Sequence, residues 1–177
     1  MKWIYLLSLL ITAPLFGQKI IWKEGQKLNW SQFKSETNRK GSNVVAYTHC
    51  GWEYTVVKST NPNVPVKIEI VTIFNEDKSW KDPKRINDYV LNHEQKHFDI
   101  AEIYARKLRK EVMEKIKTSG DFDRKFQSIY NKISNEYRNF QILYDKDTQH
   151  GINTEKQAEY NLIIARELDY LKNFKSS

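Results

Sequence analysis

Asn92-His93-Glu94-Gln95-Lys96-His97-Phe98-Asp99 decides how this chain folds and what it can do. The octet lies inside a longer stripe of Ile86, Val90, His93, His97, Ala101, Tyr104, Leu108 and Val112, whose three- and four-residue spacing predicts one long helix. Side chains four apart on a helix stand roughly 40° apart around its axis, so His93 and His97 share a face and can share a cation. Glu94 stands about 100° round from His93, too far to complete the same ligand pair. From there its carboxylate can take a proton from water held at that cation. A His-Glu-x-x-His helix of this kind marks a zinc metallohydrolase. The same stripe also describes a buried helix face, where a lone histidine would be a core residue. Two stacked imidazoles with a carboxylate beside them would leave several buried polar groups in need of partners, and a metal satisfies them together.

Outward from the octet, Asp82-Pro83 combines a favoured N-cap with a favoured first helical residue, so the helix is expected to start there and run to about Ile116. Thr118-Ser119-Gly120 is expected to end it, with Gly120 as the stop. A second helix follows Asp121, with Phe122, Phe126, Ile129, Ile133, Tyr137 and Phe140 on one face. The polar run Tyr144 to Gly151 breaks that period. A third helix starts near Asn153 or Thr154, where Thr154 and Gln157 match a capping box. Upstream, Val44 to Val57 reads as a strand region with Gly51 as a turn or bulge, and Val66 to Phe74 as a half-buried strand. Trp22, Trp30 and Phe33 read as packing anchors. The expected fold is α+β, a small, mainly antiparallel sheet followed by three helices in one domain over residues 18–177.

The chain has 177 residues, enough for one domain with a real core. Met1-Lys2 followed by the apolar run Trp3 to Phe16 predicts a signal peptide over residues 1–17, hence an exported protein, periplasmic or secreted. No other apolar run is long enough to cross a bilayer. Cys50 is the only cysteine, so no intramolecular disulfide forms. Its neighbour His49 points to the opposite face of a strand, which disfavours a catalytic Cys-His pair. The net charge of +7 favours anionic surroundings such as cell-envelope material, but its lysines and arginines are interleaved with glutamates along the helices and no nucleic-acid motif is present.

Catalytic zinc keeps three protein ligands and one open position. On a continuous helix Asp99 points about 240° away from His93, and Glu111 lies about 27 Å along the axis, so neither completes the site. His150, beside Gly151 at a helix junction, is the leading third ligand, with Asp145, Asp147, His49 or a remote glutamate as alternatives. Asp145 is also a candidate to orient a ligand imidazole from behind.

Leu91-Asn-His-Glu-Gln-Lys-His-Phe-Asp-Ile-Ala-Glu102, Tyr104-Ala-Arg-Lys-Leu108 and Tyr144-Asp-x-x-Thr-x-His-Gly151 together resemble a family of bacterial exported proteins described as predicted secreted zinc-dependent proteases. Leu28-Asn-Trp30 with Phe33, and Ala46-Tyr-Thr48 with Gly51, are similar to its N-terminal half. The resemblance implies His93 and His97 as ligands, Glu94 as catalytic base and a role for the His150 segment. The resulting expectation is a metallopeptidase using Zn2+ held by His93, His97 and His150, acting on a peptide or protein substrate, with Tyr104 or Tyr144 stabilising the oxyanion. The strand Val66–Phe74 is expected to line the cleft. An envelope amide hydrolase and a non-catalytic module stapled by zinc are the competing expectations.

Overall fold

A computed structural model describes residues 18–38 and 44–176. The expected signal peptide and its cleavage point lie outside the described residues. Three helices pack on one face of a three-stranded antiparallel sheet of order β1-β4-β3, formed by β1 (Lys19–Ile21), β4 (Lys67–Asn75) and β3 (Cys50–Val57). A second, two-stranded sheet pairs β2 (Ala46–Tyr47) with β5 (Trp80–Lys81). The α+β expectation therefore holds, with the sheet divided in two.

The division falls at Thr48-His49, between β2 and β3, and not at Gly51, which pairs in register with Ile73 inside β3. Thr48 turns its hydroxyl inward to the Glu94 carboxylate while the His49 carbonyl accepts from the Asn75 amide, so the chain changes partners there. β4 is hydrogen-bonded on both edges, to β1 and to β3. None of its residues lines the cleft, contrary to the expectation for Val66–Phe74. The strand run from Val44 to Trp52 lines the cleft instead.

Helix α1 spans Asp88–Lys115 and begins five residues later than Asp82-Pro83 suggests. The Asp82 amide is held by the Val45 carbonyl, and its own carboxylate and carbonyl accept from the Lys84 and Arg85 amides, so Asp82 closes a turn. The N-cap is Asn87, whose side chain accepts from the Val90 amide. Helix α2 spans Ser119–Thr148 and is capped by a Thr118/Asp121 box, which puts Gly120 in its first turn and not at the end of α1. The turn between β3 and β4 requires that glycine, because a Cβ there would sit 2.9 Å from the Pro62 Cβ. Helix α3 spans Thr154–Tyr170 with Asn153 as its cap, one residue before the expected Thr154.

Contacts such as His93 with Asp145, His97 with Gln141 and Tyr104 with Tyr137 show α2 running antiparallel to α1. Those of Gln157 with His93 and Leu168 with Arg106 show α3 running parallel to it. The main core lies where α1, α2, α3 and β4 meet, around Ile70, Ile100, Leu108, Phe126, Tyr144 and Ile164. A smaller cluster of Trp22, Leu28, Phe33, Phe74 and Phe98 anchors the N-terminal segment. Glu102, fully buried, is held by Thr72, Arg106 and Arg109 and ties the sheet to α1. Among the described residues no helix is long and apolar enough to cross a membrane.

Candidate metal centre

His93 and His97 project from α1 toward the last turn of α2, and their Nε2 atoms lie 3.1 Å apart. The carboxylate of Asp145 meets both, its Oδ1 standing 3.2 Å from His93 Nε2 and 3.0 Å from His97 Nε2. Among the described residues these three side chains are the ones whose donor atoms converge closely enough to hold a metal ion. Tetrahedral zinc with bonds of about 2.0–2.1 Å separates its donors by about 3.3 Å, so the triangle has the right size.

The protonation pattern agrees. His93 Nδ1 lies 2.9 Å from Gln157 Oε1, and His97 Nδ1 lies 2.6 Å from Gln141 Oε1. Both amides are fixed in that orientation. Gln157 also accepts from the Tyr144 hydroxyl and donates to Asn161, and Gln141 donates to the His97 carbonyl. An amide oxygen only accepts, so each imidazole carries its proton on Nδ1 and turns an Nε2 lone pair toward Asp145. Two lone pairs and a carboxylate oxygen about 3 Å from one another repel unless a cation, metal or proton, lies among them. In the metal-free chain that cation is a proton. Burial lowers the His97 pKa, but the hydrogen bond and charge of Asp145 outweigh it and raise it to about 9. Burial would likewise raise the Asp145 carboxyl, yet bonding from both imidazoles holds it well below the usual carboxylate range.

The last turn of α2 and its exit complete the support. Asp145 is helical, because α2 continues through the segment that breaks the apolar period and stops at Thr148. Thr148 is buried and bonds back to the Tyr144 carbonyl. Gln149, His150 and Gly151 then follow with φ of 52°, 53° and 85°, a left-handed exit. At Gly151 a Cβ would lie 3.2 Å from both Cβ and Cγ of His93, so only glycine lets the chain pass against that ring. Tyr144 stacks on the His93 ring at 4.7 Å.

His150, the expected third ligand, stands beside the group and not within it. Its Nδ1 is 3.4 Å from Asp145 Oδ1, and its side chain is 54% exposed at the rim. Asp147 accepts from the Tyr160 hydroxyl, and His49 packs beside Tyr47, so neither joins the group. Asp99 points away as expected, bonded to Trp22, Gln95 and Lys96, and Glu111 pairs with Lys115.

The centre opens into a cleft of about 900 Å³ between α2 and the strand run from Val44 to Trp52. Glu94 lines it, buried, with Oε2 accepting from Thr48 Oγ1 at 2.6 Å. The tyrosines expected to assist do not reach this space. Tyr144 is fully buried with its hydroxyl on Gln157 and the His93 carbonyl, and Tyr104 packs in the core against Tyr137 and Phe140. Tyr47 does line the cleft, about half exposed, and its phenol pKa is raised first by burial and then by Cys50, Glu94 and Asp145. Cys50 is a neutral thiol, its pKa pushed up to about 12 by burial, with Sγ near the His97 carbonyl and the Tyr137 hydroxyl.

Residues 23–151, which include every side chain of the convergent group, match the model of a family described as "Bacterial protein of unknown function (DUF922)". The chain belongs to that family. The span matched by DUF922 holds His93, Glu94, His97, Asp145 and His150 and ends at Gly151, the residue pressed against His93. No curated protein and no solved structure matches the chain.

Proposed function

We propose that this member of the family is an exported zinc-dependent hydrolase, most specifically a metallopeptidase, and that Asp145 takes the third ligand position expected for His150. What carries the proposal is the pairing of three convergent donors with an open cleft that also receives the Glu94 carboxylate. Two imidazoles and one carboxylate form a ligand set that suits zinc. When bound, zinc would supply Lewis acidity toward a carbonyl oxygen and lower the pKa of water at the site.

The chain's own residues supply the rest. The Thr48 hydroxyl holds Glu94 Oε2 and so orients the carboxylate toward the cleft. Glu94 accepts the proton of the attacking water and passes it to the departing amine. Tyr47, a neutral phenol at pH 7 with a raised pKa, stands on the cleft wall as the available oxyanion donor. Gln141 and Gln157 hold the two imidazoles in the ligating tautomer. Export to the periplasm or the medium follows from the N-terminal apolar run and is part of the same proposal.

The position of His150 favours one competing reading. Swung inward as a fourth protein ligand, it would close the site and leave zinc a purely structural role. Zinc-loaded wild type and Glu94→Gln, assayed on a quenched-fluorescent peptide library and on peptidoglycan fragments, separate these cases. A metallopeptidase cuts peptides, and Glu94→Gln lowers the rate at least about 100-fold while keeping its zinc. Cleavage of peptidoglycan amides alone would make it an envelope amidase. Equal rates in both proteins, or no hydrolysis by either, would sink the enzyme proposal.

A further inference from the structure

Asn131, Arg138 and Asp145 follow one another at seven-residue intervals on α2, and all three line the cleft. Seven residues turn a helix through about 700°, within about 20° of two full turns, and advance it about 10.5 Å. The three side chains therefore form a line along the groove, with Asp145 at the metal end, Arg138 about 10 Å away and Asn131 about 21 Å away. Ser134, Asn135 and Ile142 flank that line, and the strand run from Val44 to Trp52 forms the opposite wall. An extended chain rises about 3.3 Å per residue, so the groove has length for about six residues, and Arg138 falls opposite the third.

Arg138 is the cation on that surface, since every other lining side chain is neutral, a carboxylate or a histidine. It is exposed and, among the described residues, makes no hydrogen bond or ion pair with the chain. The basic side chains elsewhere on the first turns of α2 behave differently: Arg124 and Lys125 both pair with Asp121. A guanidinium presents a planar fork that matches a carboxylate, and here that fork is directed to the groove with no internal partner.

We propose that Arg138 is a specificity-determining residue that binds a substrate carboxylate about three extended residues from the bond to be cut. This rests on the hydrolase reading of the same cleft. The carboxylate can be an acidic side chain or the free C-terminus of a short peptide, and the chemistry of recognition is the same.

The test uses zinc-loaded full-length protein and a set of seven-residue peptides in which one glutamate is moved through every position against glutamine, each made with a free or amidated C-terminus. Hydrolysis rates and calorimetric affinities are measured for wild type, Arg138→Gln, Arg138→Lys and Arg138→Glu. A glutamate near the third position from the cleaved bond should improve kcat/KM about five- to tenfold over glutamine in wild type. That ratio should fall to about one in Arg138→Gln, return in part in Arg138→Lys and invert in Arg138→Glu. A preference seen only with the free C-terminus identifies the terminal carboxylate as the ligand. A wild-type enzyme that cuts all peptides alike, or a ratio that survives in Arg138→Gln, overturns the role of Arg138 and leaves the hydrolase standing. Failure to bind or cut any peptide overturns both.

Discussion

Replacing Gly151 by alanine should damage the metal centre through two separable effects. The first is backbone strain, because φ is +85° there and a left-handed conformation costs a non-glycine residue about 1–2 kcal/mol. The second is displacement, because the new methyl would sit 3.2 Å from both Cβ and Cγ of His93, so the ring or the loop must give by a few tenths of an ångström. That ring has little freedom, held between the Tyr144 stack at 4.7 Å and the Gln157 bond at 2.9 Å. Strain alone should lower Tm by about 2–8 °C for a chain of this size. Moving a ligand imidazole should weaken zinc about 10- to 100-fold, as loss of an orienting partner does. Gly25→Ala is the control. Its φ of +77° carries similar strain, but nothing lies within 4 Å of its Cβ, so it should lose stability and keep its zinc affinity. Thermal melts of the metal-free proteins and competition with a chromogenic chelator read the two effects. Zinc affinity in Gly151→Ala within twofold of wild type would refute the displacement argument, and equal zinc loss in Gly25→Ala would refute its locality.

Other outcomes follow from the same geometry. Gln157→Leu and Gln141→Leu each remove the acceptor that holds a ligand imidazole, and each should weaken zinc about 10- to 100-fold in chelator competition without unfolding the chain. The metal-free protein should lose stability as pH rises. His97, raised to about 9 in the folded chain against about 6.5 unfolded, contributes fully below pH 6.5, and that contribution fades as pH passes through 9. Melts of the zinc-loaded protein should be flatter across that window, and a flat metal-free profile would contradict the proton's place between His97 and Asp145. Cys50, with its pKa pushed up to about 12, should resist iodoacetamide at pH 8 in the folded protein and react readily once unfolded. Fast labelling of the native thiol would show that the site is more open than its burial indicates.

The sequence made one helix legible and its partners much less so. His93, Glu94 and His97 lie within five residues, where helical spacing alone fixes the geometry: the two imidazoles share a face as expected, and Glu94 lines the cleft beside them. Asp145 was harder, because polar residues from Tyr144 onward end the apolar period while backbone hydrogen bonding carries α2 three residues beyond Asp145. A period records which face is buried and is silent where a helix end turns polar to serve a site. His150 stands out in the sequence as one of only four histidines, yet with a left-handed backbone its side chain sits at the rim. Gln141 and Gln157 lie 44 and 64 residues from the histidines they hold, and no local pattern marks them. By sequence Gln157 fits a capping box with Thr154, but Asn153 caps α3 by itself. The strands were legible as apolar segments, but the break at Thr48-His49 depends on Glu94 and Asn75, which reach it only after folding.

Anomalous diffraction at the zinc edge from crystals of the zinc-loaded chain tests the central claim most directly. One zinc per chain is expected, bound by His93 Nε2, His97 Nε2 and an Asp145 oxygen, with a water on the cleft side and His150 unbonded. Zinc bound without Asp145, or closed off by His150 as a fourth ligand, would contradict it.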